Sequence, residues 1–186
     1  MTKGRRPGFR IWALYIGAAL AILALRPASA DIFNFGDVMI STNFGSVYQY
    51  DHDLNYIRSL EFSAFHQSAG STFDNAGNFY LTGVNSAIAK VDSTGNLVSP
   101  SYFTGGAAYA SILYSRSGAF YAGDGKSKVI SQFAAGGGLP TTTFTVKTEI
   151  NGPLGVEDTG TDWIDLAANG TTFYYTSGGS HVLRKR

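Results

Sequence analysis

Two short strand-like runs bordered by Asp-x-x-Gly turns form a unit that recurs along this chain. The unit is clearest from Gly70 to Leu97, where residues 78–82 and 87–91 are rich in apolar, aromatic and β-branched side chains. Asp, Asn and Gly border both runs, and these residues favour tight turns. The segment therefore predicts a meander of antiparallel strands.

The strand starts of the repeated unit are spaced by 41, 41 and 52 residues, at Asp37, Asn78, Ala119 and Thr171. A period near 40 with about four short strands is typical of β-propeller blades, because a single four-stranded sheet buries both faces only by stacking on its neighbours. The 23 glycines and the 15% of charged residues favour strands joined by tight turns over helices. We therefore predict an all-β, propeller-like array of about four antiparallel blades. The predicted blade units are 36–69, 70–109, 110–150 and 151–186, the last of them incomplete.

The first thirty residues have the pattern of a secretory signal peptide. Four basic residues precede an apolar run from Ile11 to Leu25, and Ala28-Ser29-Ala30 follows as a small-x-small cleavage sequence. An uncleaved membrane anchor is the alternative, but a spanning helix needs about 20 apolar residues. We predict a signal helix in residues 1–30, cleavage after Ala30, and a β-propeller domain over residues 31–186. The mature protein is then expected in the periplasm or outside a bacterial cell, without a membrane attachment.

Charge and cysteine content narrow the classes of function. Without residues 1–30 the chain has nine Lys and Arg against 13 acids, a net charge of −4. Nucleic-acid binding relies on clustered Lys and Arg, so this balance argues against a nucleic-acid partner. The sequence has no cysteine, which excludes disulfides, thiol nucleophiles and thiolate metal sites.

The blade pattern resembles that of NHL-repeat and regucalcin/gluconolactonase-like propellers. The resemblance rests on residues 73–82 with 88–95 and on residues 163–176. It implies a propeller fold and, for the lactonase-type members, a divalent-metal-dependent hydrolase with metal ligands near the central tunnel. Such members commonly close with six blades, so the resemblance also implies either a truncated chain or a small four-bladed ring. The lactonase-type members carry an N-terminal Glu-Gly-Pro motif, which residues 31–37 lack.

Four carboxylates in the longest inter-blade segment are the candidate ligand-binding residues. They are Glu157, Asp158, Asp162 and Asp165. Carboxylate oxygens suit calcium or another hard divalent cation, and Asp165 and Glu157 are the candidate metal ligands. A solvated acidic loop is the alternative. Because the spacing lacks the Asp-x-Asp-x-Asp-Gly pattern of a calcium loop, we expect no resident cofactor. The alternative is that calcium or another divalent cation binds these carboxylates.

Two further patterns have structural explanations. The Asp74/Gly77 and Asp92/Gly95 pairs predict turns in which the Asp side chain caps its own backbone. Adjacent aromatic pairs place one ring on each face of a strand and are expected to fill the gaps between blades, with a carbohydrate-stacking surface as the alternative. The aromatic residues concerned are Tyr48, Tyr50, Phe79, Tyr80, Phe120, Tyr121, Phe173, Tyr174 and Tyr175.

The sequence thus predicts an exported repeat protein that binds a protein, peptide or carbohydrate ligand and has no catalytic activity. No serine-nucleophile elbow, paired-histidine metal motif or phosphate loop is present. The alternative function is a metal-dependent hydrolase or lactonase. An array that does not close would expose an unpaired blade edge, through which copies could associate.

Overall fold

In the computed structural model, the described residues form four antiparallel sheets. These residues are 32–42, 44–62, 65, 67–83, 87–146, 160–177 and 183–185. The predicted signal segment, residues 1–30, lies outside them. Within the described part of the chain, no helix is long and apolar enough to cross a membrane.

The four sheets follow one another along the chain. The first contains β1 (Val38–Ser41), β2 (Ser46–Tyr50) and β3 (Tyr56–Glu61). The second contains β4 (Ser68–Phe73), β5 (Phe79–Gly83), β6 (Ala87–Val91) and β7 (Leu97–Thr104). The third contains β8 (Tyr109–Tyr114), β9 (Phe120–Asp124), β10 (Val129–Phe133) and β11 (Thr142–Thr145). The fourth contains β12 (Ile164–Leu166), β13 (Phe173–Tyr175) and β14 (Arg184–Lys185).

Each sheet is an up-and-down meander in which strands adjacent in sequence pair antiparallel. The first strands of consecutive sheets lie side by side, with β4 against β8 and β8 against β12. β1 also contacts β4, the first strand of the following sheet, and β5 likewise contacts β8. This arrangement confirms the predicted all-β array of four blades.

The 41-residue spacing identifies equivalent strands, and β1 matches β5 and β9 rather than the first strands β4 and β8. The loop chemistry agrees, because the turn after β2 and the turn after β6 have the same hydrogen bonds. In the turn after β2, Asp51 Oδ1 accepts hydrogen bonds from the N–H groups of Asp53 and Asn55. In the turn after β6, Asp92 accepts the corresponding bonds from Thr94 and Asn96. The first sheet therefore begins, within the described residues, with the second-strand position of a blade.

Three buried clusters hold the four sheets together, one at each junction. Phe79 and Leu81 pack with Val47 between the first and second sheets. Tyr80, from the same strand, points the other way and packs with Phe120 between the second and third sheets. The third cluster, between the third and fourth sheets, joins Tyr121 to Phe173, Tyr175 and Ile130.

The aromatic pairs therefore pack on both sides of their strands, as their sequence positions predict. The ring centroids of Tyr80 and Phe120 are 4.4 Å apart, and those of Tyr121 and Phe173 are 4.9 Å apart. The two end sheets differ from this pattern. Tyr48 on the first sheet and Tyr174 on the fourth are exposed, because they face away from the neighbouring sheet.

Candidate functional site

A groove of about 660 Å³ lies between the third and fourth sheets. The end of β8 and the turn after it form one wall, and the end of β12 and the turn after it form the other. The lining residues are Leu113, Tyr114, Ser115, Arg116, Ser117 and 165–170. Since both walls are first strands of their sheets with the turns that follow, the groove lies beside the inner strands of the array.

Local hydrogen bonds fix both turns of the groove. In the turn after β8, Ser115 Oγ accepts the Ala119 N–H at 3.1 Å and donates to the Ala119 carbonyl at 2.9 Å. In the turn after β12, Asn169 Oδ1 accepts the N–H groups of Thr171 and Thr172, both at 3.0 Å. These side chains cap their own backbone, so the exposed Arg116 is held on an ordered turn.

Asp165 is the predicted site residue among those that line this groove, and its side chain, opposite the exposed Tyr174, lies on the side of the fourth sheet that faces away from the third. It is exposed, and its Oδ1 accepts the Leu166 N–H at 2.8 Å. Its cross-strand partner is Tyr174, which in turn pairs with Lys185. Asp165 occupies the register position that Leu113 occupies in the third sheet, where Leu113 is opposite Tyr121. A charged side chain thus replaces an apolar side chain that packs between sheets.

Asp162 lies elsewhere, before β12 begins. A Cβ built on Gly125 would be 3.2 Å from Asp162 Oδ1, which places this carboxylate beside the loop between β9 and β10. The Asp162 N–H donates to the Thr176 carbonyl at 3.0 Å. Its carboxylate therefore approaches the third sheet, whereas Asp165 belongs to the side of the fourth sheet that faces away from it.

The predicted four-carboxylate set is only partly visible in the structure. Glu157 and Asp158 lie outside the described residues, so the metal pair of Asp165 and Glu157 stays a prediction. Among the residues the structure describes, no three His, Cys, Asp or Glu side chains are grouped to hold a metal ion.

Asp124, at the end of β9, is a buried carboxylate that the sequence patterns did not single out. Oδ2 accepts the Ala107 N–H at 2.6 Å, and Oδ1 accepts the N–H groups of Ala108, Lys126 and Ser127 at 3.2, 2.9 and 3.0 Å. Burial raises the pKa of Asp124, but these backbone donors outweigh burial and hold the pKa below its usual value. Asp124 thereby joins the loop before β8 to the loop after β9. Its only sequence signal is an Asp between two glycines, Gly123 and Gly125.

The two Asp-x-x-Gly pairs are turns, as predicted. Asp74 Oδ1 accepts the N–H groups of Ala76 and Asn78 at 2.9 and 3.0 Å, and Gly77 has a φ of 76°. Partial burial raises the pKa of Asp74. Hydrogen bonds from Asn78, Tyr80 and Ala76 lower the pKa by more than burial raises it, so it lies below its usual value. The buried Tyr80 hydroxyl donates to Asp74 Oδ2 at 3.0 Å. This turn thus carries a contact to the core.

Comparisons with known proteins support the fold alone. No protein-family model matches the chain, and no curated protein matches it by sequence. The WD40 beta propeller domain of Doa1 has a TM-score of 0.60 at 14% identity, over 84% of this chain and 48% of that chain. Virginiamycin B lyase from Staphylococcus aureus has a TM-score of 0.60 at 13% identity, over 81% of this chain and 51% of that chain.

A third similar structure is the computationally designed Ika4 protein, with a TM-score of 0.57 at 9% identity. That match spans 83% of this chain and 86% of the designed chain. The chain matches only about half the length of the Doa1 domain and of the lyase. Together with the four stacked sheets, these similarities define a protein of the β-propeller class. They do not select the NHL-repeat or regucalcin family within it.

Proposed function

We propose that this protein is an exported binding module that holds a peptide, protein or carbohydrate ligand in the groove between the third and fourth sheets. The observation that carries the proposal is the groove itself, with Arg116 on one wall and the turn after β12, residues 167–170, on the other. In propeller-like folds the sheets serve as a scaffold, and the loops and turns at their ends are free to vary. The leader pattern in residues 1–30 supports action outside the cytoplasm.

The chemistry of the groove favours a polar ligand without a strong net charge. The Arg116 guanidinium and the Ser117 hydroxyl supply hydrogen-bond donors and an acceptor, while the side chains of Ser115 and Asn169 are held in their own turns. Leu113 and Tyr114 add apolar surface beside them. Sugars and short peptides match this combination of polar and apolar surface, whereas a polyanion would find a single cation there.

The test is a screen of glycan and peptide arrays with the purified protein, followed by titration of each binder. Arg116→Gln should weaken binding at least tenfold, because it removes the one cation among the residues that line the groove. Lys126→Gln and Asp53→Asn are the matched controls, since both residues are exposed and lie outside the groove lining. Binding that survives Arg116→Gln, or blank arrays with folded protein, would reject the proposal.

A second candidate function is a divalent-metal-dependent hydrolase or lactonase, favoured by the exposed carboxylate of Asp165 on the strand that borders the groove. Asp165 would bind the cation together with Glu157, and calcium is the cation that carboxylate oxygens suit best. Calorimetric titration of calcium distinguishes the candidates. No heat of binding at millimolar calcium would exclude the hydrolase, whereas binding that Asp165→Asn abolishes would favour it over the binding module.

A further inference from the structure

Side chains at equivalent positions of the four sheets point in the same direction, either toward the preceding sheet in the chain or toward the following one. The equivalent triplets are residues 38–40, 79–81, 120–122 and 173–175. The middle residue of each triplet points toward the following sheet, as Tyr80 and Tyr121 show. The outer two point toward the preceding sheet, as Phe79 and Leu81 show. We call these sides the trailing face and the leading face of a sheet.

The same contact forms at two successive junctions. The trailing-face Tyr80 meets the leading-face Phe120, and the trailing-face Tyr121 meets the leading-face Phe173. Each contact is tilted or edge-on, with ring centroids less than 5 Å apart. The same two equivalent positions therefore form the aromatic contact between one sheet and the next at both junctions.

The leading face of the first sheet is apolar and open to solvent. Ile40 is 47% exposed, although its equivalent Leu81 is fully buried. Val38 is exposed beside it, at the position of Phe79. Tyr48 and Tyr56 continue this surface, with ring centroids 6.3 Å apart in an edge-on contact. The described part of the chain thus leaves an apolar docking face uncovered.

The trailing face of the fourth sheet is open as well. Tyr174 is exposed, although its equivalent Tyr80 is buried. Trp163, two residues before Asp165, is 63% exposed. Lys185 is opposite Tyr174, as Lys90 is opposite Tyr80 in the second sheet. At that internal junction Lys90 Nζ lies 4.7 Å from the centroid of the Tyr102 ring, which shows that the repeat tolerates a lysine there.

We propose that a second copy of this chain covers these faces, with the trailing face of one copy docked on the leading face of the other. Tyr174 of one copy would pack against Val38 and Ile40 of the other, which continues the contacts of Tyr80 with Phe120 and of Tyr121 with Phe173. Such an interface is heterologous, and two copies that form it twice close a ring of eight sheets. Aromatic side chains are enriched at protein interfaces, in keeping with Trp163 and the exposed tyrosines.

The length of the similar structures supports closure by two copies. The chain matches 48% of the Doa1 propeller domain and 51% of the virginiamycin B lyase chain. The Doa1 domain and the lyase chain are therefore about twice as long as the part of each that this chain matches, and two copies would supply that length.

Sedimentation velocity of the purified protein over a concentration series tests the proposal. The wild-type chain should form dimers. Ile40→Glu on the leading face and Tyr174→Glu on the trailing face should each raise the dimer dissociation constant at least tenfold. Leu139→Glu is the control, because Leu139 is also an exposed apolar residue but lies in the loop between β10 and β11, away from both faces. Circular dichroism verifies that each variant keeps its sheets.

Mixing the two variants tests the head-to-tail geometry. A chain with Ile40→Glu keeps its trailing face and a chain with Tyr174→Glu keeps its leading face, so the mixture should form a one-to-one complex through one intact junction. Dimerisation lost in Ile40→Glu but kept in Tyr174→Glu would mean that leading faces pair with each other, which overturns the proposal. A wild-type protein that stays monomeric at 100 µM, roughly where an interface of about −5 kcal/mol would half associate, would overturn it too.

Discussion

Replacement of Leu54 by glycine should stabilise this protein. Leu54 closes the turn after β2 at the position that Gly95 occupies in the equivalent turn after β6 and that Gly77 occupies in the similar turn between β4 and β5. Those glycines have φ values of 76° and 86°, and Leu54 has a φ of 63°. Among the described residues, Leu54 is the non-glycine residue with a positive φ. The first sheet thus repeats the turn without the residue that fits it.

The magnitude follows from two opposing effects. Left-handed backbone costs a residue other than glycine roughly 1–2 kcal/mol, and the freedom of glycine in the unfolded chain costs about 0.5–1 kcal/mol. Leu54 is 67% exposed, so its replacement removes little buried surface. The net gain for Leu54→Gly should be about 0.5–1 kcal/mol, which corresponds to roughly 1–4 °C in Tm for a chain of this size.

Urea unfolding followed by circular dichroism measures this gain as a shift in midpoint at constant slope. Leu139→Gly is the matched control, because Leu139 is 69% exposed and its φ is not positive. This control should lose about 0.5–1 kcal/mol through the unfolded chain alone. Equal losses in both variants would show that the turn after β2 stores no strain, and would refute the reasoning.

Three further predictions concern the core and its buried polar groups. Asp124→Asn should lower the unfolding free energy at pH 7 by about 2 kcal/mol, because an amide cannot accept all four N–H groups and loses the charge-assisted bonds. Since the folded pKa of Asp124 lies below its usual value, its stabilisation is present above that value and is lost as pH falls through the folded pKa. The stability gap between wild type and Asp124→Asn should therefore shrink below about pH 4, and a pH-independent gap in urea titrations would contradict this. Tyr80→Phe should cost about 1 kcal/mol in the same assay, because Asp74 keeps its other donors. Phe120→Ala should cost about 3–5 kcal/mol, since Phe120 is fully buried between the second and third sheets, and a loss below 1 kcal/mol would mean that the two sheets do not pack as described.

The candidate site was only partly predictable from the sequence. The acidic pattern around Asp165 indicated candidate ligand-binding residues, and Asp165 is one of the residues that line the groove. It could not predict that Arg116 would lie across that groove. The two residues are 49 positions apart in the sequence, and only the side-by-side packing of β8 and β12 brings their turns together.

The sequence by itself determined the features that depend on residues close together in the chain. Alternating side chains, Asp-x-x-Gly turns and a 41-residue period specify strands and their order, because each depends on a few neighbouring residues. The tertiary structure decided which faces are buried. The same tyrosine position is buried as Tyr80 in the second sheet and exposed as Tyr174 in the fourth, and Asp124 is buried while Asp165 is exposed. Burial depends on whether another sheet stacks on that side, and that is a property of the assembled array rather than of any single repeat.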